Sequence, residues 1–295
     1  MILRSFHPWR RLAKISEPRN LEHAINEEIN KISIWLRKNE LLLNVGKSKF
    51  MIYLKKNKKI PDLRIEINNK TIDRVDNFNF LGITLDQHIT WKQHTDKIGL
   101  KLSRVIGLLR RLQHILPPYI LITIYHSLIH SHLNYGLLLW GCCNGRIANL
   151  QKKAIRVVAY RPYIAHTSPI FKELNIMKLN GIIYITTQLH KLLYRYENNI
   201  LPDYFSLFKP LYSGEMDHSY NLRHNTLRLP MPSKNYFVQG TRYQFLKLIA
   251  TLSQGEINLT HWPTRFQYIS RIKTDILSQY DPICHIANCY VCNNT

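Results

Sequence analysis

Between Leu112 and Gly145 the chain carries no Asp, Glu, Lys or Arg. A stretch that long without a charge must leave water, into a helical core or across a bilayer. Its polar content separates the two. Pro117-Pro118, His126, Ser127, His130, Ser131, His132 and Asn134 interrupt it, and such groups are costly in hydrocarbon. The run therefore predicts core helices of a soluble bundle, with no membrane partner. An anchor through residues 112–145 is the competing membrane reading. Pro117-Pro118 opens a helix through about Tyr135, and Gly136–Gly145 is apolar and then turn-like.

The flanks are strongly basic and helical. Trp91, His94, Ile98, Leu102, Val105, Leu109 and Leu112 recur at helical spacing. Lys97, Lys101, Arg104 and Arg111 gather on a neighbouring face, at steps of four, three and seven. Thr90-Trp91-Lys92-Gln93 fits a capping box at the start of this helix. Ile147–Tyr160 predicts another helix, with Ile147, Leu150, Ala154 and Val158 inward and Lys152, Lys153 and Arg156 outward. After Arg161-Pro162 the pattern loosens. Helical segments surround Gly181 within residues 170–196. Prolines make 201–234 mostly irregular, and 236–252 and 266–277 read as helices.

The N-terminal part is mixed. Leu21, Ile25, Ile29, Ile32 and Leu36 predict a helix over 21–43, stopped by Asn44-Val45-Gly46 with Gly46 at positive φ. Phe50–Leu54 reads as a short strand. Leu63, Ile65 and Ile67 alternate with Arg64 and Glu66, the period of a half-buried strand. Asn68-Asn69 supplies a turn. Phe78 and Phe80–Leu85 form a strand-like run with Gly82 inside it, where another backbone or a ligand could come close. Residues 50–85 are thus expected to form a small antiparallel sheet behind a helix, with an unprotected edge.

Charge limits the function. The 295 residues hold 41 Lys+Arg against 19 Asp+Glu, a net charge of +22. A chain so basic calls for an anionic partner, nucleic acid first and an acidic surface second. The hydrophobic fraction of 45% excludes disorder. Five cysteines, Cys142, Cys143, Cys284, Cys289 and Cys292, are too few and too unevenly placed for a disulfide framework. Cys284, Cys289 and Cys292 resemble part of a zinc site but lack a fourth ligand. Residues 1–19 are basic, yet Pro8, Pro18 and sparse serine speak against mitochondrial targeting. The expected compartment is nuclear or cytoplasmic.

The familiar catalytic arrangements are missing. No Asp-Asp occurs, and Glu27-Glu28 lies on a helix where adjacent positions face apart. No phosphate loop, nucleophile elbow or two-His zinc helix is present. His126 and His130 form an i,i+4 pair with no nearby acid or Cys ligand, which fits helix packing. The basic helix faces carry more weight. Two of them, on the helices that flank the uncharged run, make a groove for a phosphate backbone.

Several motifs, in order, resemble one family. The run Trp35…Leu41-Leu42-Leu43-Asn44-Val45-Gly46-Lys47-Ser48-Lys49-Phe50-Met51 is similar to the segment after the catalytic turn in reverse transcriptases of non-LTR retrotransposons, especially jockey-like elements. Phe80-Leu81-Gly82-Ile83-Thr84-Leu85-Asp86 resembles that family's primer-grip hairpin. Trp91…His94, Tyr125-His126-Ser127-Leu128-Ile129…Leu133-Asn134-Tyr135-Gly136…Trp140-Gly141 and Leu150-Gln151-Lys152-Lys153-Ala154-Ile155-Arg156 continue the likeness into the thumb. Tyr220-Asn221-Leu222-Arg223 extends it toward the C-terminus.

The resemblance implies an RNA-directed DNA polymerase with two metal ions, Mg in the intact enzyme, held by aspartates in an aromatic-x-Asp-Asp turn. This sequence has no such turn, so the expectation is a catalytically incompetent, truncated remnant with no cofactor of its own. It further implies an α+β, mostly helical fold. Residues 1–20 are an unmatched basic leader. Residues 21–86 are the end of the palm with the primer-grip-like hairpin. Residues 87–162 are a thumb-like helical bundle, and 163–295 a helical and irregular C-terminal extension. The expected partner is an RNA or DNA template–primer duplex. Its contacts are assigned to Lys47, Lys49, Leu81, Gly82, Lys97, Lys101, Arg104, Arg111, Lys152, Lys153 and Arg156. Lys47 takes the place of the family's lysine near the incoming nucleotide. A non-enzymatic RNA- or DNA-binding module reused by the host is the alternative. The sequence leaves the oligomeric state open.

Overall fold

The computed structural model describes residues 18–53, 57, 62–141, 145–179, 183–202, 205, 211–212, 227–229, 240–253 and 264–280. Two compact units divide at His94 and Thr95.

In the first unit, α1 (Pro18–Lys38) lays Leu21, Ile25 and Ile29 on the buried Leu63, Ile65, Ile67 and Ile72. Val45, Phe50 and Ile52 close the same cluster. The strands are short and paired in twos. β1 (Lys49–Phe50) runs parallel to β4 (Asp73–Arg74). β2 (Glu66–Ile67) pairs with β3 (Lys70–Thr71) antiparallel, across Asn68 and Asn69 at φ 49° and 59°. β5 (Asn77–Phe80) pairs with β6 (Ile83–Asp86), Phe80 opposite Ile83.

Four expectations change here. The sheet is not wholly antiparallel, since β1 and β4 run the same way. Gly82 does not lie inside a strand. Leu81 and Gly82, at φ 49° and 80°, form the two-residue turn of the β5–β6 hairpin, and positive φ at both positions is what a type I′ turn requires. The helix over 21–43 stops at Lys38 instead, and Gly46 keeps ordinary φ in a 3₁₀ turn over Val45–Lys47. Finally, the backbone edge at Arg64–Glu66, leading into β2, is covered. Glu22 accepts from Arg64 N–H at 3.0 Å, and Asn26 accepts from Glu66 N–H and donates to Arg64 C=O, both at 3.0 Å. Polar side chains of α1 thus occupy the hydrogen-bonding groups of an edge that would otherwise recruit another strand.

The second unit is a helical bundle. α2 (Lys92–Leu112) buries Ile98, Leu102, Ile106 and Leu109. Ile106 takes the place expected of Val105, which is half-buried. α3 (Pro118–Ile124) continues through a π-helical segment, Tyr125–His130, into α4 (Ser131–Asn134). Ser131 N–H bonds His126 C=O five residues back, the π pattern. Leu121, Tyr125, Ile129 and Leu133 are fully buried, as the uncharged run demanded. α5 (Leu137–Trp140) buries Trp140, whose indole N–H donates to Tyr135 C=O at 2.9 Å.

α6 (Gly145–Val158) passes beside α2 at Gly99, where a Cβ would stand 3.7 Å from Ile147 and Leu150. α7 (Thr167–Glu173), α8 (Ile183–Glu197), α9 (Thr241–Ser253) and α10 (Arg265–Ser278) complete the bundle. β7 (Leu211–Tyr212) and β8 (Leu227–Arg228) pair antiparallel within the stretch read as irregular. The chain is therefore α+β and mostly helical. No helix among the described residues is long and apolar enough to cross a membrane.

Four helix ends follow one rule. Glu40, Tyr160, Asn175 and Asn199 have φ between 53° and 56° just beyond four helices. After α6, Tyr160 N–H bonds Val157 C=O at 3.1 Å and Arg161 N–H bonds Arg156 C=O at 2.9 Å. This double closure is the Schellman motif, made here without glycine. The same pair of bonds closes α1, α7 and α8.

Candidate nucleic-acid interface

Lys97, Lys101, Arg104 and Arg111 are all exposed along α2, opposite its buried face. The one acid of α2, Asp96, pairs with Arg146 of α6 at 2.8 Å. Lys101 lies near His132, whose pKa is lowered by burial and then by that lysine's charge.

The α6 cations behave differently. Lys152, Lys153 and Arg156 are half-buried, not turned fully outward as expected. Arg156 Nε donates to Ala165 C=O at 2.7 Å, and its guanidinium sits 5.9 Å from the Tyr163 ring centre. Lys153 Nζ lies 5.9 Å from the same ring. Burial lowers the Arg156 pKa, with the neighbouring Tyr163 opposing. Lys152 adds repulsion to Lys178, whose pKa is lowered first by burial.

Lys47, Lys49, Leu81 and Gly82 belong to the first unit. Lys47 is exposed in the 3₁₀ turn, which Asn44 caps by accepting from Lys47 N–H at Oδ1, 3.1 Å away. Lys49 forms an ion pair with Asp73 across β1 and β4. Lys49 and Lys70 line a shallow cleft of about 420 Å³ beside the turn, and Lys47 does not. Leu81 stands 73% exposed at the hairpin tip.

Two structural anchors escaped sequence reasoning. Asp86, at the end of β6, organises the entry to α2. Its carboxylate accepts from Thr90 N–H and Thr90 O–H at 3.0 Å and from Trp91 N–H at 3.1 Å. The expected Thr90–Gln93 box is replaced by this arrangement, with Lys92 N–H reaching the Thr90 hydroxyl only at 3.5 Å. Burial pushes the Asp86 pKa up, but the bonds from Thr90, Trp91 and His88 outweigh it and hold the group ionised. Gln151, on the helix carrying Lys152 and Lys153, is fully buried. It donates to Tyr125 Oη at 3.0 Å and Met177 C=O at 2.9 Å, and accepts from Leu179 N–H at 2.6 Å.

His126 and His130 face each other edge to face at 5.3 Å. Burial lowers the His130 pKa to about 4, with His126, Lys191 and Lys273 adding repulsion. Among the described residues no cluster of His, Cys, Asp or Glu is placed to hold a metal ion. Cys142, Cys143, Cys284, Cys289 and Cys292 lie outside the described residues. Glu27 and Glu28 both pair with Lys31, at 3.3 and 2.8 Å.

No protein-family model matches the chain, and no solved structure does. Among curated proteins, the chain is similar to the RNA-directed DNA polymerase from mobile element jockey of Drosophila melanogaster. The two are 24% identical over 164 residues, which cover 53% of this chain and 18% of that protein. The similarity relates the chain to a retrotransposon reverse transcriptase, over less than a fifth of that relative's length.

Proposed function

We propose that this chain holds a template–primer duplex on the cationic row of α2 and performs no polymerisation by itself. The carrying observation is that Lys97, Lys101, Arg104 and Arg111 are exposed on one side of a helix whose other side is core. From Lys97 to Arg111 the helix rises roughly 21 Å at about 1.5 Å per residue. A duplex presents one backbone charge per about 1.7 Å, so the row meets about a dozen of them. Such contacts fix position and carry no sequence information. The similarity to a mobile-element polymerase favours nucleic acid over other polyanions.

Catalysis is assigned elsewhere for a chemical reason. Two-metal phosphoryl transfer needs paired carboxylates. The sequence offers only Glu27-Glu28 as neighbours, and Lys31 pairs with both. No cofactor is proposed for this chain. Lys47, Lys49, Leu81 and Gly82, in the first unit, are assigned to nucleic acid in their own right.

Duplex binding by the purified chain, measured by fluorescence anisotropy, tests the reading. The triple variant Lys97→Glu, Lys101→Glu, Arg104→Glu is expected to bind more weakly and with a flatter salt dependence. Binding equal to the parent would overturn the α2 assignment. Primer extension on an RNA template with Mg²⁺ or Mn²⁺ is expected to yield no product, and template-dependent incorporation would overturn the inactivity.

A further inference from the structure

The segment that leaves α6 is stapled down. The Schellman closure at Tyr160 turns the chain, and Ala165 N–H bonds Pro162 C=O at 3.0 Å. Arg156 reaches across to Ala165 C=O, and the Tyr160 hydroxyl donates to Leu116 C=O. Within this fixed turn Tyr163 is 64% exposed. A large aromatic ring held on a rigid turn, and not folded into the core, loses little further entropy when something stacks on it. Its surroundings select what that is. Lys153 and Arg156 lie against the ring, each 5.9 Å from its centre. Between Gly145 and Ala165 the sequence holds Arg146, Lys152, Lys153, Arg156 and Arg161 and no acid, and Arg146 and Arg161 are ion-paired to Asp96 and Glu173 from outside that stretch.

We propose that Tyr163 is a stacking platform for an unpaired nucleobase, whose adjoining phosphate is held by Lys153 and Arg156. An aromatic face beside cations matches the two chemistries of one nucleotide, a π-face and an anionic diester, at a single residue's spacing. The platform accepts any base, because every base has a π-face. It rests on the nucleic-acid reading above, which it deepens: besides the duplex on α2, the chain grips a single-stranded stretch at the end of α6.

The test uses the full chain and a fluorescent single-stranded oligonucleotide, by anisotropy over a KCl series. Tyr163→Ala should weaken binding about 5- to 140-fold, with the salt slope unchanged. Tyr163→Trp should retain parental affinity. Lys153→Gln should instead flatten the slope by about 0.7. An oligonucleotide with abasic sites should bind the parent as weakly as the intact one binds Tyr163→Ala. If Tyr163→Ala binds within twofold of the parent, or the abasic strand binds as well as the intact one, the platform is refuted. Equal binding of a polyglutamate peptide, lost with Tyr163→Ala, would also refute it and would mark an acidic-protein site. A parent that binds duplex through α2 while Tyr163→Ala changes nothing sinks this proposal alone. A parent that binds neither form of nucleic acid sinks both.

Discussion

Replacing Gln151 with Met keeps the volume of the side chain and deletes its amide. Three groups then lose a partner in a site closed to water: Leu179 N–H, Met177 C=O and the Tyr125 hydroxyl. Gln151, Leu179 and Tyr125 are each 3% exposed or less, so water does not replace the lost bonds. Each buried polar group left unsatisfied costs about 1–3 kcal/mol. The Met177 carbonyl and the tyrosine hydroxyl retain other bonding capacity, so the expected total is about 3–5 kcal/mol, set mainly by the Leu179 amide. Against a typical stability of about 5–15 kcal/mol, that is a large fraction. The assay is urea unfolding followed by far-UV circular dichroism, with hydrogen exchange at the Leu179 amide as the local probe. The midpoint should fall steeply and the Leu179 amide should lose protection. Lys152→Gln, one residue away on the same helix, should change stability by under about 0.5 kcal/mol. If Gln151→Met costs less than about 1 kcal/mol and leaves Leu179 protected, the network does not clamp α6 to residues 177–179.

Further outcomes follow from the core and its titrating groups. Burial lowers the His190 pKa from 6.5 to about 4, while the Tyr268 hydroxyl, 2.5 Å from His190 Nδ1, is pushed up by burial and stays protonated. The unfolded chain therefore takes the proton first: stability is full above pH 6.5 and declines as pH falls toward 4, by about 3 kcal/mol at most. His190→Gln should make a urea-midpoint profile flatter across that window, and an unchanged profile would contradict the assignment. On α2, Leu109→Ala should cost about 2–5 kcal/mol, whereas Leu108→Ala, at a position 43% exposed, should stay within about 0.5 kcal/mol. Equal losses would mean that the helix faces are wrongly assigned. Protonating Asp86 removes its acceptors for Thr90 and Trp91. Its lowered pKa means this contribution is present above the ordinary carboxylate pKa and lost as pH falls through the folded value. Asp86→Asn should remove that part of the acid sensitivity in the same unfolding assay.

Helix existence and helix faces were legible because they are written as contrast. Apolar residues recur on α2 against Lys97, Lys101, Arg104 and Arg111, and burial follows that pattern. The uncharged run around Tyr125 was legible for the same reason. What was hidden depended on single residues acting against type. Glu40 and Tyr160 close helices in a conformation usually given to glycine, so no punctuation marked those ends. Strands of two residues carry no alternation to read, and the parallel β1–β4 pairing left no trace. Leu81-Gly82 lacks the asparagine that usually announces a two-residue hairpin turn. Gln151 looked like surface, because a polar residue beside two lysines gives no sign of burial. Tyr163 was passed over because it falls where periodicity ends. A proline four residues beyond the end of α6 and an aromatic next to basic residues were the available signals there.

The central claim is that α2 holds nucleic acid through its row of cations. The most direct test is the slope of log K against log salt for duplex binding. It is measured on the parent and on the neutral variant Lys97→Gln, Lys101→Gln, Arg104→Gln. Each phosphate contact contributes about 0.9 to the slope, so the variant's line should be shallower by about 2.7. Raising salt from about 50 to 200 mM should then cost the parent roughly 40-fold more affinity than the variant. Two parallel lines would contradict the account.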